Sequence, residues 1–168
     1  MALKLLLASA LALAAKRRVQ PVQEEPPGVF VPGRIDRMVM KPAPIEPAWI
    51  LTGMPQARIS EHSRSGDGAS VTAVWDCTAG AFRWHFGWDE TVVILEGEVF
   101  VTAEDGTERL LKAGDIGYFR GGSWATWRVD EYVKKVAFVR RPFPGLMVMA
   151  MRMKQALKGG GEARGLAA

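Results

Sequence analysis

The chain has 168 residues, 48% of them hydrophobic, and one cysteine, which is enough for one domain with a core and terminal extensions. The lone Cys77 excludes an internal disulfide and a multi-cysteine zinc site, and it leaves the compartment open. The net charge of +4 sits at the ends. Residues 1–39 hold 6 basic and 3 acidic side chains, residues 142–168 hold 4 and 1, and residues 40–141 hold 12 and 14, so the body lacks the basic face that a nucleic-acid partner requires.

Leu5 to Ala15 is continuously apolar or small and is followed at once by Lys16-Arg17-Arg18. It is too short for a membrane-spanning helix, which needs about 20 apolar residues. Lys4 before it, and Ala10-Leu11-Ala12 or Ala12-Leu13-Ala14 as cleavage sites, fit a short signal peptide. A helix docked on the protein body or on a membrane surface fits equally well. The expected location is cytoplasmic, with N-terminal membrane contact or export as alternatives.

Residues 19–47 contain Pro21, Pro26, Pro27, Pro32, Pro42, Pro44 and Pro47, a density that predicts an extended arm. Residues 48–141 then read as short strands: Ser70 to Trp75, Phe82 to Phe86, Thr91 to Leu95, Val99 to Ala103, Arg109 to Leu111, Gly117 to Phe119, Thr126 to Val129 and Tyr132 to Val139. The separators include Thr78-Ala79-Gly80, Glu96-Gly97-Glu98, Glu104-Asp105-Gly106 and Gly121-Gly122. Asp105-Gly106 is a strong hairpin signal. Evenly spaced short strands of this kind predict an all-β jelly-roll barrel. His62 falls in the polar stretch Ser60 to Asp67, read as an exposed loop. In residues 142–168, Pro142 and Pro144-Gly145 stop the last strand. A helix is predicted from Leu146 to Lys158, with Leu146, Met149, Met153 and Leu157 on one face. That stripe is expected to pack on the domain or on a second subunit, or as the sharper alternative to bind a peptide through its methionines. A disordered tail is expected beyond it.

Glu90, Gly97, Gly114-Asp115, Gly122 and Trp127 carry a resemblance. A metal-binding cupin has a His-x-His pair, three or four residues, a Glu, six residues and a Gly, then a second motif of Gly, five residues, Pro, one residue, Gly, two residues and His. Glu90 and Gly97 match the first, and Gly114 and Gly122 the second, with Arg120 at the proline and Ala125 at the histidine. Residues 48–140 further resemble the small-cupin family that includes ureidoglycine aminohydrolase, through Trp75-Asp76-Cys77-Thr78-Ala79-Gly80, Phe82, Trp84, Asp89-Glu90, Leu95-Glu96-Gly97, Val129, Glu131, Val133 and Lys134-Lys135. The resemblance implies a single cupin barrel and, with the extensions, a homodimer.

A catalytic metal needs about three converging ligands. Of the two histidines, His85 precedes Glu90 by five residues. Phe82, Trp84 and Phe86 share a strand face, and three large aromatics belong inside, which puts Arg83 and His85 outside. A one-residue shift at the next turn would reverse this. No cofactor is therefore expected. A weakly held divalent metal such as manganese on His85 and Glu90 is the alternative.

Without a metal, the barrel mouth offers Trp75, Trp84, Phe86, Tyr118 and Trp127 as the lining of a small-ligand pocket, though tryptophans in small barrels are ordinarily core. Glu90 is the candidate acid or base, with Lys134, Lys135 and Arg83 as candidate counter-charges, or else it caps the turn before Thr91. Cys77 reads as a buried small side chain, and Asp115 as a turn residue bonded to backbone amides. Two functions follow: a cupin that binds a small polar metabolite, or an enzyme like ureidoglycine aminohydrolase acting on a small nitrogenous or carboxylated compound. A structural or envelope role is a third, resting on the apolar N-terminus.

Overall fold

The computed structural model describes residues 28–157. The apolar N-terminal segment and its basic cluster, the start of the arm and the glycine-rich tail lie outside them. The strands are β1 (Lys41–Pro42), β2 (Ile50–Gly53), β3 (Ala57–Arg64), β4 (Ser70–Phe86), β5 (Asp89–Ala103), β6 (Glu108–Lys112), β7 (Ile116–Phe119) and β8 (Ser123–Arg140), followed by the helix α1 (Gly145–Leu157). Single 3-10 turns lie at Ile35–Arg37 and Pro47–Trp49.

These strands form one antiparallel sheet in the order β1-β3-β4-β8-β5-β6, with β2 added to β4 and β7 to β5. β8 is the spine: it pairs with β4 from Ser70↔Arg140 to Phe86↔Ser123, and with β5 from Asp89↔Arg140 to Ala103↔Ala125. The sheet curls into a half-barrel, the all-β jelly-roll class expected from the sequence. The arm contributes β1 to the edge of β3, and Ile45 reaches the core.

The strand boundaries differ from expectation at three places. Thr78-Ala79-Gly80, Glu96-Gly97-Glu98 and Asp130-Glu131 are interruptions inside long strands and not turns between short ones. Register breaks between Thr78 and Gly80 on β4 and around Gly97 on β5, against the same stretch of β8. Bulges at one level let three strands bend together. Gly97 has φ +70°, and a Cβ there would overlap the Tyr132 carbonyl, so the motif glycine is required by close backbone approach. His62 also departs from expectation. It lies half-buried in β3, its Nδ1 3.0 Å from Ser63 Oγ.

Alternation sets the interior. Trp75 and Cys77 from β4, Val92 and Ile94 from β5, and Ala125, Trp127, Val129, Val133 and Ala137 from β8 are buried in one cluster with Phe82, Phe86 and Phe119. One buried residue on this inward parity of β8 is not apolar: Lys135, between Val133 and Ala137.

Candidate functional site

The inward face of the half-barrel holds an ion pair in an aromatic cage. β8 presents Lys135 opposite Trp75 of β4 and Ile94 of β5. β5 presents Glu90 opposite Phe119 of β7 and Val139 of β8. The Lys135 ammonium donates to Glu90 Oε1 at 2.6 Å, and the two side chains are 6% and 12% exposed. The Lys135 nitrogen lies 4.5 Å from the Trp127 ring centre and 5.1 Å from that of Trp75. A desolvated cation over an indole gains about 0.5–2 kcal/mol per ring, which helps to offset removing the ammonium from water.

The rings of the cage meet pairwise. Trp75 and Trp127 meet edge to face at 6.0 Å, Phe82 stacks on Trp127 at 6.4 Å, and Phe86 stacks on Phe119 at 4.2 Å. Trp84 is partly buried at the margin, touching Trp75, Phe82 and Trp49. Two polar groups in the cage are orphaned: the Nε1–H of Trp75 and that of Trp127 are buried and have no hydrogen-bond partner. Buried donors without partners are uncommon, and each costs about 1–3 kcal/mol. Of these three N–H-bearing groups, Lys135, whose nitrogen lies over both indoles, is the one that bonds Glu90.

Of the residues singled out from the sequence, Trp75, Trp84, Phe86, Trp127 and Glu90 share this interior. Tyr118 does not. It is 63% exposed on the outer face, because Phe119 takes the inward position of the four-residue β7. Glu90 does not cap the turn before Thr91; its neighbour Asp89 does the tying, accepting from the Gly121 N–H at 2.9 Å. Asp115 accepts from the Lys112 N–H at 2.8 Å. Cys77 is fully buried, and burial, with the Asp76 charge second, pushes its thiol up to about 12, which keeps it un-ionised and unreactive.

A metal centre of the kind the resemblance implies does not fit these residues. His85 is on the outward parity of β4, its ring 4.8 Å from that of Trp124, with the Arg83 guanidinium 4.7 Å from the same indole. Ala125 offers no ligand atom, and Glu90 is engaged by Lys135. Among the described residues no three His, Cys, Asp or Glu side chains come together as a metal would require.

Sequence reasoning named Lys135 only as one of three counter-charges and missed its place at the centre. The signal was partial: Val133, Lys135, Ala137 and Val139 share one face, but Tyr132, Lys134, Val136 and Phe138 share the other, so alternation alone does not choose between the two lysines. A second buried carboxylate was also missed. Asp76, 2% exposed, accepts from Arg58 Nε at 3.0 Å and Nη2 at 2.6 Å, and from the Tyr132 hydroxyl at 3.0 Å. Burial, then the bond to Asp76, pushes the Tyr132 phenol up to about 12, and the same carboxylate raises Arg58.

A family model described as an EutQ-like cupin domain matches residues 64–137. A protein of unknown function of the DUF861 family from Pseudomonas syringae pv. tomato aligns with a TM-score of 0.56 and 23% identity over 60% of this chain and 44% of its own. The chain thus spans less than half the length of that protein. A predicted oxalate decarboxylase from Thermotoga maritima aligns with a TM-score of 0.52 and 15% identity over 65% of this chain and 97% of its own. At these identities the likeness is one of fold. No curated protein matches the chain. Curled sheet, matched segment and shared fold together mark residues 64–137 as a cupin domain similar to the EutQ-like type.

Proposed function

We propose that the barrel binds a small polar metabolite without a tightly held metal, using Lys135 and Glu90 as its polar centre. One observation carries this: a buried ion pair with spare hydrogen-bonding capacity stands beside two indole N–H donors that have no partner. A buried pair adds little net stability and is matched or surpassed by apolar residues of similar volume, so its presence favours recognition. The pair is neutral overall, and its surroundings offer donors from Lys135, Trp75 and Trp127 against acceptor capacity on Glu90. The complementary ligand is small, presents carbonyl or carboxyl oxygens, and carries one N–H or O–H for Glu90. Trp84, at the margin, would cover it.

The enzymatic alternative is a hydrolase resembling ureidoglycine aminohydrolase. Glu90 would then relay a proton while Lys135 holds the oxygen on which charge develops. A homodimer belongs to this reading too. Tyr118, Thr91 and Phe138 form a row across the outer face, and Ile116, Tyr118 and Phe138 are 68%, 63% and 48% exposed there.

Calorimetry against a panel of small hydroxy acids, keto acids, amides and ureido compounds tests the binding reading. At least one class should bind, and Lys135→Met should weaken it by tenfold or more. Binding that survives Lys135→Met, or a panel in which no class binds the intact protein, overturns it. Turnover of a bound ureido compound that Glu90→Gln abolishes would favour the enzyme.

A further inference from the structure

The helix α1 points its apolar stripe the wrong way for a helix that serves the barrel. Val148, Met151 and Arg152 line a groove of about 360 Å³ with Asp89, Arg140, Pro142 and Phe143, so Val148 and Met151 lie toward the strands while Arg152, between Val148 and Met149 on the helix circumference, stays exposed. Val148 is half-buried. The stripe expected to pack on the domain or on a second subunit does not lie on this side. Leu146, Met149 and Met153 are 79%, 55% and 59% exposed, with Met147 and Met151 at 50% and 47%. Burial against the body therefore does not account for this apolar face.

Charge narrows what does. α1 contains Arg152 and Lys154 and no acidic residue. Successive residues turn by about 100° on a helix, so these two cations flank Met153 on either side of the stripe. A second copy packed stripe to stripe would bring cations of both helices to one seam with no carboxylate in α1 to oppose them. An anionic lipid surface takes the same arrangement favourably: the stripe enters the acyl boundary while the long basic side chains reach the headgroups. The 13 residues of α1 span about 20 Å, and no helix among the described residues is long and apolar enough to cross a membrane, so a helix of this kind lies in the surface. The sequence repeats the combination at its other end, where Leu5 to Ala15 adjoins Lys16-Arg17-Arg18.

We propose that α1 is an interfacial helix that holds the barrel on an anionic lipid surface through Leu146, Met149 and Met153, with Arg152 and Lys154 on the headgroups. The full chain should sediment with vesicles of phosphatidylcholine containing 30% phosphatidylglycerol, at least tenfold more tightly than with phosphatidylcholine alone. Added salt should weaken this. Met149→Glu with Met153→Glu should reduce binding at least tenfold while leaving the barrel's tryptophan fluorescence and the oligomeric state unchanged. Arg152→Ala and Lys154→Ala should each weaken it by about fivefold, as expected for one basic side chain near such a surface. Three results overturn the proposal: no sedimentation of the intact chain with anionic vesicles; binding that persists in the double glutamate variant, which would assign it to the N-terminal segment; or a change of oligomeric state in that variant, which would make the stripe a protein interface.

Discussion

Two ion pairs sit back to back on neighbouring positions of β4 and β8, and they are built differently. Trp75 faces Lys135, and Asp76 faces Lys134, in successive rungs of one ladder. On the outward side, Asp76 is saturated by the bidentate Arg58 and by Tyr132, and Arg58 keeps half its side chain in water. On the inward side, Lys135 and Glu90 share one hydrogen bond among aromatic rings. The first ties three strands together. The second is under-satisfied and buried on both sides, and it stands among donors with nothing to bind. A carboxylate with its hydrogen bonds completed needs no ligand to explain it, whereas an incomplete one in a hydrophobic setting is the better candidate for recognition.

The sharpest way to break this contrast is to remove one half of the inner pair. Lys135→Met leaves the Glu90 carboxylate buried without a partner and should cost about 3–5 kcal/mol in urea unfolding. Lys135→Met with Glu90→Leu should recover to within about 1 kcal/mol of wild type, or exceed it, because apolar side chains of similar volume pack at least as well in such a cage. A double variant as unstable as the single one would make the inner pair structural after all, and the contrast would fail.

The outer pair predicts a smaller loss and a pH signature. Tyr132→Phe removes one hydrogen bond to a charged partner and should cost about 1.5 kcal/mol at neutral pH. The phenol's ordinary value is 10.0, and in the fold it is pushed up to about 12. The folded state therefore holds this proton more tightly than the unfolded chain does. Its contribution is fully present below about pH 10 and is lost as pH rises toward 12. Cys77, raised from 9.0 to about 12, contributes with the same sign from a lower starting point. Stability of the wild type should fall across this alkaline range, and the fall should be shallower in Tyr132→Phe. Parallel curves for the two proteins would show that Asp76 does not depend on the phenol.

How much of this was legible depends on strand parity. The barrel was visible in the spacing of its apolar runs, and the inward set Phe82, Trp84 and Phe86 followed from alternation together with the size of the three aromatics. Gly97 was visible as a motif position, and the structure supplies its reason in the nearby Tyr132 carbonyl. The length of β4, β5 and β8 was hidden, because a bulge and a turn use the same glycines and acidic residues. Only pairing across the sheet distinguishes them. Parity left Lys134 and Lys135 equal, and charge argued against an inward place for either until a partner from β5, 45 positions from Lys135 in sequence, came within reach. Tyr118 was assigned inward for being aromatic, when its odd-even relation to Phe119 was the better guide. For α1 the periodicity marked which residues share a face and left open what that face meets.

The smallest expected effect tests the premise that separates inside from outside. His85 lies against Trp124 on the outward face, where the Arg83 guanidinium covers the same indole. His85→Ala removes one ring contact at the surface and should cost less than about 1 kcal/mol. It should leave unchanged any ligand affinity that depends on Lys135, and any weak retention of manganese or zinc by the purified protein. The contrast between the two faces requires all three readings together. If His85→Ala instead abolished metal retention or shifted the ligand isotherm, the imidazole would be reaching the Glu90 side of the strand. The register of β4 past Gly80 would then differ by one residue, and the inner pair would lose its isolation from a second metal-competent group.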